Sequence, residues 1–412
     1  MTETLRPETA EQVVDAVQTA IVEGRSLEVT GGGSKRAFGR PSEADTRLDI
    51  SALTGIVLYE PEELVLTAKP ATPLAEIESV LAERRQMLAF EPVDFACLLD
   101  GGGASGSNVR GTLGGAIACN LAGPRRIKAG AARDHMLGFH AVSGRGEPFK
   151  AGGRVVKNVT GFDLSKLITG SFGTLAAITE LTVRALPAPE ATRTIALLGL
   201  DDDAGGRAMT AALSSAFDVS GAAHLPAEVA SESSVGQIAS AGASATLLRL
   251  EGTGPSVSFR AGELARDLRA VGPLVTLDIP ESIASWREVR DVPYFNAHPD
   301  RQIWKLSVPP AAGAEVARQI LDTLVGHAFY DWGGGLIWLA LARSPDAAES
   351  IVRDAVQLAG GHATLIRAEA EVRGRVPVFQ PQPPALAALT RRVKQAFDPG
   401  RVLSPGRMYE GV

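Results

Sequence analysis

Residues Val29 to Phe38 read VTGGGSKRAF. Three consecutive glycines, the Ser34 hydroxyl and the cations Lys35 and Arg36 are residue types that gather around a phosphate. Glycine lets main-chain N–H groups approach an anion closely, and the polar side chains add donors and charge. A P-loop requires G-x-x-x-x-G-K-[ST]; no glycine-lysine-hydroxyl triplet follows here, which argues against a nucleotide triphosphatase. A Rossmann fingerprint requires G-x-G-x-x-G opening a helix, whereas these glycines run into RAFGRPSEAD, which lacks helical periodicity and holds a proline. A loop of successive amides cradling a pyrophosphate fits the residues, and so does a plain surface turn. Lys35 and Arg36 are read either as neutralising such a phosphate or as solvated cations.

No comparable pattern marks a metal or catalytic centre. The six histidines, His135, His140, His224, His298, His327 and His362, include no metal-pair spacing, so no metal site is expected. His135 and His140 read as ordinary packed histidines, the latter in the strand-like LGFHAV. Cys97 and Cys119 sit among Ala and Leu and are expected as two buried thiols in a reducing compartment. Asn158-Val-Thr160 matches a glycosylation sequon, read as chance. The net charge of −6 and 5% aromatic content leave neither a basic field nor a stacking surface for nucleic acid. The opening MTETLRPETAEQVV is polar and acidic, unlike a secretory signal, and no apolar run reaches spanning length, so a cytoplasmic location is expected.

The elements that position these residues follow from periodicity. Val13, Val14, Val17, Ala20 and Ile21 predict a helix stopped by Gly24. SLEVT is a strand running into the triple glycine; TRLDIS, GIVLY and LVLTAKP follow as strands, and Thr72-Pro73 opens the helix PLAEIESVLAERR. The tract Gly101–Arg126 holds too few bulky residues for a core of its own and should wrap a ligand or lie between elements. LGFHAVSGRGEPFKAGG predicts a hairpin turning at Ser143–Glu147; FDLSKLITGS is a short helix and LAAITELTVRAL a strand. Composition shifts at PAPEAT (187–192). Beyond it, strands TIALLGL, TLLRLEG, QIWKLSVP and LIWLALA alternate with helices near 207–217 and 257–271, predicting helices layered over a sheet. ALAALTRRVKQAF is a last helix before DPGRVLSPGRMY. The sequence shows no internal repeat.

Taken with GTLGGAIACNLAGPRR, KNVTGFDLSKLITGSFGTLAAITE and AFDPGRVLSPGRM, the glycine loop resembles the FAD-binding domain of the vanillyl-alcohol oxidase type, also called the PCMH-type FAD-linked oxidase domain. Within that family, GPRR, GGRVVKNVTGFDLSKL and WKLSVPP resemble the FAD-binding E subunits of bacterial glycolate oxidases. The resemblance implies an α+β fold: a two-subdomain FAD domain over 1–187, an α+β cap over 190–385, and a segment 386–412 returning to the FAD domain. It implies that Gly31, Gly32, Gly33 and Ser34 hold the FAD pyrophosphate, and that Thr112, Gly114 and Gly115 line flavin and phosphates. Asn120 and Gly123 match the next turn, Gly173 and Ile178 the adenosine end, and Ser404 stands where the family has Asn, by the isoalloxazine. Ser34 and Lys35 occupy the loop where tethering relatives place His, so FAD should be non-covalent.

The resemblance also implies a function: oxidation of glycolate, a 2-hydroxy acid, to glyoxylate, beside a catalytic flavoprotein subunit and an iron–sulfur subunit, peripheral at the inner membrane face through that complex. The family's cap motif H-x-G-D-G-N-x-H is missing; the corresponding YDWGGGLIWLALA is apolar, with Asp331 its one candidate acid or base. Arg249, Arg260 and Arg301 are candidates for the substrate carboxylate, each also readable as a surface charge, and no catalytic residue is assigned. The competing readings are a stand-alone dehydrogenase for another hydroxy acid or alcohol, and a non-catalytic scaffold whose FAD serves assembly.

Overall fold

The computed structural model describes residues 3–99, 111–154 and 162–412. The sequon, and most of the glycine-dense tract and of GGRVVKNVTG, lie outside them. Strands β1 (Glu3–Leu5), β2 (Leu27–Thr30) and β3 (Thr46–Asp49) form a parallel sheet in the order β1-β3-β2. Helix Ala10–Glu23 covers it with Val13, Val17 and Ala20, the apolar face that the periodicity predicts. Thr9 caps its start, and Gly24 ends it at φ +64, a left-handed conformation that costs glycine nothing. The C-terminal tail lies along the same sheet: the Leu27 N–H donates to Val402 O (2.6 Å), and Leu27 bridges Leu403.

Strands β4 (Ile56–Glu60), β5 (Val65–Ala68), β6 (Gln86–Met87), β7 (Met136–Ser143), β8 (Pro148–Gly152), β9 (Ala176–Arg184) and β10 (Leu186–Pro187) follow. Five of them pair antiparallel as β4-β5-β9-β7-β8, and β6 pairs with β10. The β7–β8 hairpin closes through the Ser143 N–H to Glu147 O (3.0 Å), at the turn that the sequence indicates. Helix Leu74–Glu83 and the short helix Leu113–Ala118 bury Ile77, Leu81, Leu113 and Ile117 in one core with Leu66, Phe90 and Leu181. The described end of the glycine-dense tract therefore joins its neighbours' core.

The rest of the chain carries β11 (Ala191–Leu198), β12 (Val219–Leu225), β13 (Ala245–Gly252), β14 (Leu274–Leu277), β15 (Gln302–Ser307), β16 (Gly326–Asp331), β17 (Leu336–Leu341) and β18 (His362–Arg367). They form one antiparallel sheet, β14-β11-β13-β12-β16-β17-β15-β18. Its halves share a topology: each is a β-α-β-β-α-β unit of the ferredoxin-like kind, joined edge to edge at β12 and β16. The repeat is architectural, and sequence self-similarity does not reveal it.

The helix expected near 207–217 lies instead at Asp202–Leu213. Asp201 caps it by accepting the Ala204 N–H (2.7 Å), and two further acids fill its first turn, which outweighs the Gly205-Gly206 pair. The helix expected at 257–271 begins earlier, at Gly254, with Pro255 in its first turn. β17 is buried along its whole length, so LIWLAL is a central strand covered on both faces.

Candidate functional site

The triple glycine leaves the end of β2 at the mouth of a cavity holding about 920 Å3 of space outside atoms, part of it open to solvent. Gly31, Gly32, Gly33, Ser34, Thr112, Gly114, Gly115, Gly173, Ile178 and Ser404 all line it, although they come from four separate stretches of chain. Asn120 and Gly123 do not. Asn120, at φ +49, accepts the Arg133 N–H on its Oδ1 (3.1 Å) and holds the turn after helix Leu113–Ala118. Gly123 packs against Glu91, where a Cβ would come within 2.9 Å of the Glu91 carbonyl, and its own carbonyl accepts Trp332 Nε1–H (3.1 Å).

The cavity glycines differ in kind. A Cβ on Gly114 would meet Pro70 Cβ at 2.6 Å and Pro70 O at 2.7 Å, so this glycine is required by packing. A Cβ on Gly31 would meet only Thr112 Oγ1, at 3.7 Å, and would otherwise project into cavity space. Gly31 is thus free of steric need within the chain and open to the close approach of a ligand. Thr112 Oγ1 accepts the Gly115 N–H (3.2 Å) and starts the short helix.

Lys35 and Arg36 separate in role. Arg36 forms a paired contact to Glu28 (3.0 and 3.2 Å). Lys35 is buried, contrary to its reading as a solvated cation, and donates to Ser34 Oγ (3.2 Å). Desolvation lowers its pKa, with Cys119 and Asp94 acting the other way. No carboxylate among the described residues pairs with it, so the cavity holds a cation in need of an anion. Cys119 is a free thiol on the cavity wall, pushed up to about 11 by desolvation against the pull of Lys35 and Arg407, and is therefore neutral and unreactive near neutral pH.

The tail closes the site. Ser404, at φ +41, donates its N–H to Leu27 O (2.7 Å), and its Oγ accepts the Val29 N–H (3.2 Å), so its hydroxyl braces the strand that carries the glycines. Arg407, which sequence reasoning passed over, donates to the carbonyls of Lys35 (3.1 Å), Arg36 (2.9 Å), Phe38 and Arg40 (2.8 Å). Four main-chain acceptors on one guanidinium fix the course of the loop after the glycines. The available signal was an arginine in a glycine-proline tail, a pattern that exposed arginines share.

Comparison with known proteins agrees with this geometry. Residues 3–152 match the family model described as FAD binding domain. The chain is 32% identical over 402 residues to glycolate oxidase subunit GlcE of Escherichia coli (strain K12), covering 97% of both chains. The chain belongs to the PCMH-type FAD-linked oxidase family. Glycolate oxidase subunit GlcD of Bacillus subtilis (strain 168) is 28% identical over 170 residues, covering 41% of this chain and 33% of that one. The solved structure of p-cresol methylhydroxylase with substrate bound superposes with a TM-score of 0.73 at 16% identity, covering 98% of this chain and 88% of that one, which extends the shared fold through the α+β cap.

The residues present fit FAD, the family's cofactor. Its pyrophosphate is an anion, and the cavity offers the open Gly31 edge and the buried Lys35, which makes no ion pair among the described residues. Non-covalent binding agrees with a loop lacking His and with the protonated Cys119.

The cap residues singled out in the sequence sort differently. Arg249 is fully buried, where a surface charge was one reading: it pairs with Glu91 (2.8 Å) and Glu251 (3.5 Å) and stacks on Trp286 (4.6 Å). Arg260 donates to the carbonyls of Phe217 and Glu251 (2.8 and 2.7 Å). Arg301 keeps one buried guanidinium nitrogen with no hydrogen-bond partner among the described residues. Asp331 is buried, and desolvation pushes its carboxyl up to about 7, although it accepts the Trp332 N–H (2.6 Å). His135 is packed, a ring nitrogen lying 2.9 Å from Ala129 O, whereas His140 is exposed on β7, against expectation.

Proposed function

We propose that this chain is the FAD-binding subunit of a glycolate-oxidising complex, converting a small 2-hydroxy acid to the 2-oxo acid and passing electrons to partner subunits. The observation that carries this reading is end-to-end similarity to glycolate oxidase subunit GlcE, joined to a glycine-edged cavity with a buried lysine on its wall. Residues 1–187 with the segment 386–412 would hold the cofactor, and 190–385 would form the cap over it. Gly31 to Ser34 would admit the pyrophosphate, with Lys35 balancing its charge. Thr112, Gly114, Gly115, Gly173 and Ile178 would shape the walls, and Ser404 would keep β2 in place. When bound, FAD would take the hydride from the hydroxyl-bearing carbon. The catalytic flavoprotein and iron–sulfur subunits are the proposed partners, the "subunit" in the names of GlcE and GlcD supporting an assembly. Among the described residues no helix is long and apolar enough to cross a membrane.

The test is an anaerobic visible spectrum of the purified chain with glycolate and, separately, D-lactate. Flavin bands that stay oxidised until a partner flavoprotein is added support the subunit reading. Bleaching by the chain alone would make it a dehydrogenase in its own right. Flavin that never responds, even in the assembled complex, would leave a scaffold role.

A further inference from the structure

Three tracts that the cofactor cavity does not use meet at one indole ring: GPRR, WKLSVPP and YDWGGGLIWLALA. Arg126 from the first places its guanidinium carbon 4.2 Å from the centroid of Trp332, in the third. Lys305 from the second places Nζ 5.0 Å from the same centroid and 5.7 Å from that of Trp338. Trp332 is held there from both sides. Its Nε1–H donates to Gly123 O (3.1 Å), and its N–H donates to Asp331 (2.6 Å). Its backbone has φ +53, followed by Gly333 at +68 and Gly334 at +99. A left-handed tryptophan is costly and persists where surrounding contacts impose it, commonly at ligand sites.

The two cations repel; desolvation of the half-buried Lys305 disfavours its charge, with Asp331 acting the other way, while Arg126 is exposed. Among the described residues neither side chain makes an ion pair or a hydrogen bond; each faces the ring instead. Cation–π contact with the ring offsets part of that repulsion, and an anion placed between the two cations would offset more of it. A run of packed aromatic rings lies between this position and the cofactor cavity. Phe172 lines the cavity and meets Phe38 (5.0 Å); Phe38 meets Phe95 (5.9 Å), and Phe95 meets Trp338 (5.8 Å). By contrast Arg249 and Arg260, cations first considered for a carboxylate, are already occupied by acids and carbonyls.

We propose that Lys305 and Arg126, held on the Trp332 ring, form a carboxylate-binding site for the acid end of a small 2-hydroxy acid. The hydroxy-acid identity rests on the functional reading above, whereas the selectivity for a carboxylate rests on the two cations alone.

The FAD-loaded chain is titrated with glycolate, D-lactate, acetate and ethylene glycol, following tryptophan fluorescence and calorimetric heat. The three carboxylates should bind saturably and ethylene glycol should not. Lys305→Met and Arg126→Gln should each weaken carboxylate binding at least tenfold with FAD content unchanged, and Lys305→Arg should restore most of it. Carboxylate binding that survives both substitutions, or binding no stronger than that of ethylene glycol, would overturn the site. Cation-dependent binding with a flavin that stays oxidised in the full complex would uphold the site and sink the glycolate reading.

Discussion

At Gly31 and Gly114 the same residue type serves two needs, and substitution separates them. Gly31→Val should leave the melting temperature of the FAD-free chain nearly unchanged while stoichiometric FAD, read from the flavin absorbance per chain, is lost, because the added carbons enter cavity space. Gly114→Ala should lower the stability of the FAD-free chain by about 1–3 kcal/mol, the usual range for overpacking, because Pro70 has no room to give. Equal FAD content in wild type and Gly31→Val would show that no ligand passes that edge. Asp331 makes a prediction of the opposite sign. Its folded pKa of about 7 lies above the unfolded value of 3.8, so the folded state keeps a proton that the unfolded chain gives up. Its contribution to stability falls as pH rises between those values and is fully lost above the higher one. Asp331→Asn, which can still accept the Trp332 N–H, should therefore raise the melting temperature at about pH 8 by several degrees and much less at about pH 5.

Among the elements, the last helix, Pro384–Phe397, depends on one buried ion pair. Lys394 Nζ donates to Asp398 (2.8 Å) and to the carbonyls of Thr174 (2.7 Å) and Leu403 (2.8 Å), while Asp398 accepts the N–H groups of Val402 (2.9 Å) and Leu403 (2.8 Å). These bonds hold the tail against β2 and so hold Ser404 and Arg407 at the cavity. Removing one partner of a buried pair typically costs about 3–5 kcal/mol. Lys394→Met should lose that much and also loosen FAD, whereas Gly31→Val should affect FAD alone. Limited proteolysis distinguishes them: early cutting after residue 380 is expected in the lysine variant.

Across the whole molecule, the FAD domain and cap meet at a charged cluster. Glu91 and Arg125 come from one side, Arg249 and Glu251 from the other, joined at 2.7–3.5 Å. Burial pushes the Glu251 pKa up, but Arg249 and Arg125 outweigh it and hold it down to about 2, below the ordinary 4.5. A depressed carboxylate contributes stability that is present above its unfolded pKa and lost as pH falls through the folded one. Acid should therefore weaken the chain between about pH 4.5 and 2. Arg249→Met should cost about 3–5 kcal/mol near neutrality by leaving two buried acids short of a partner, and thermal melts across that pH range should show its acid transition starting higher. A parallel pH profile for wild type and variant would argue that the cluster is incidental to closure.

Much of this protein is legible one residue after another. The 3.6-residue period of Val13, Val17 and Ala20, the Gly24 stop, the β7–β8 hairpin and the LIWLAL strand follow from local patterning, because periodicity and turn chemistry act over a few residues. The glycine loop announced an anion, and its company announced the family. Tertiary structure alone decided the rest. It separated a glycine required by Pro70 from one facing the cavity, kept Asn120 and Gly123 off the cavity wall, and exposed His140. It buried Lys35 and Arg249, for each of which a surface charge was one of two readings, and brought Arg407 to a loop some 370 positions earlier. It also set Arg126 and Lys305 on one indole. Charge on a side chain is written in the sequence, but burial and partnership belong to elements folded together from distant segments, and those decide what the charge does.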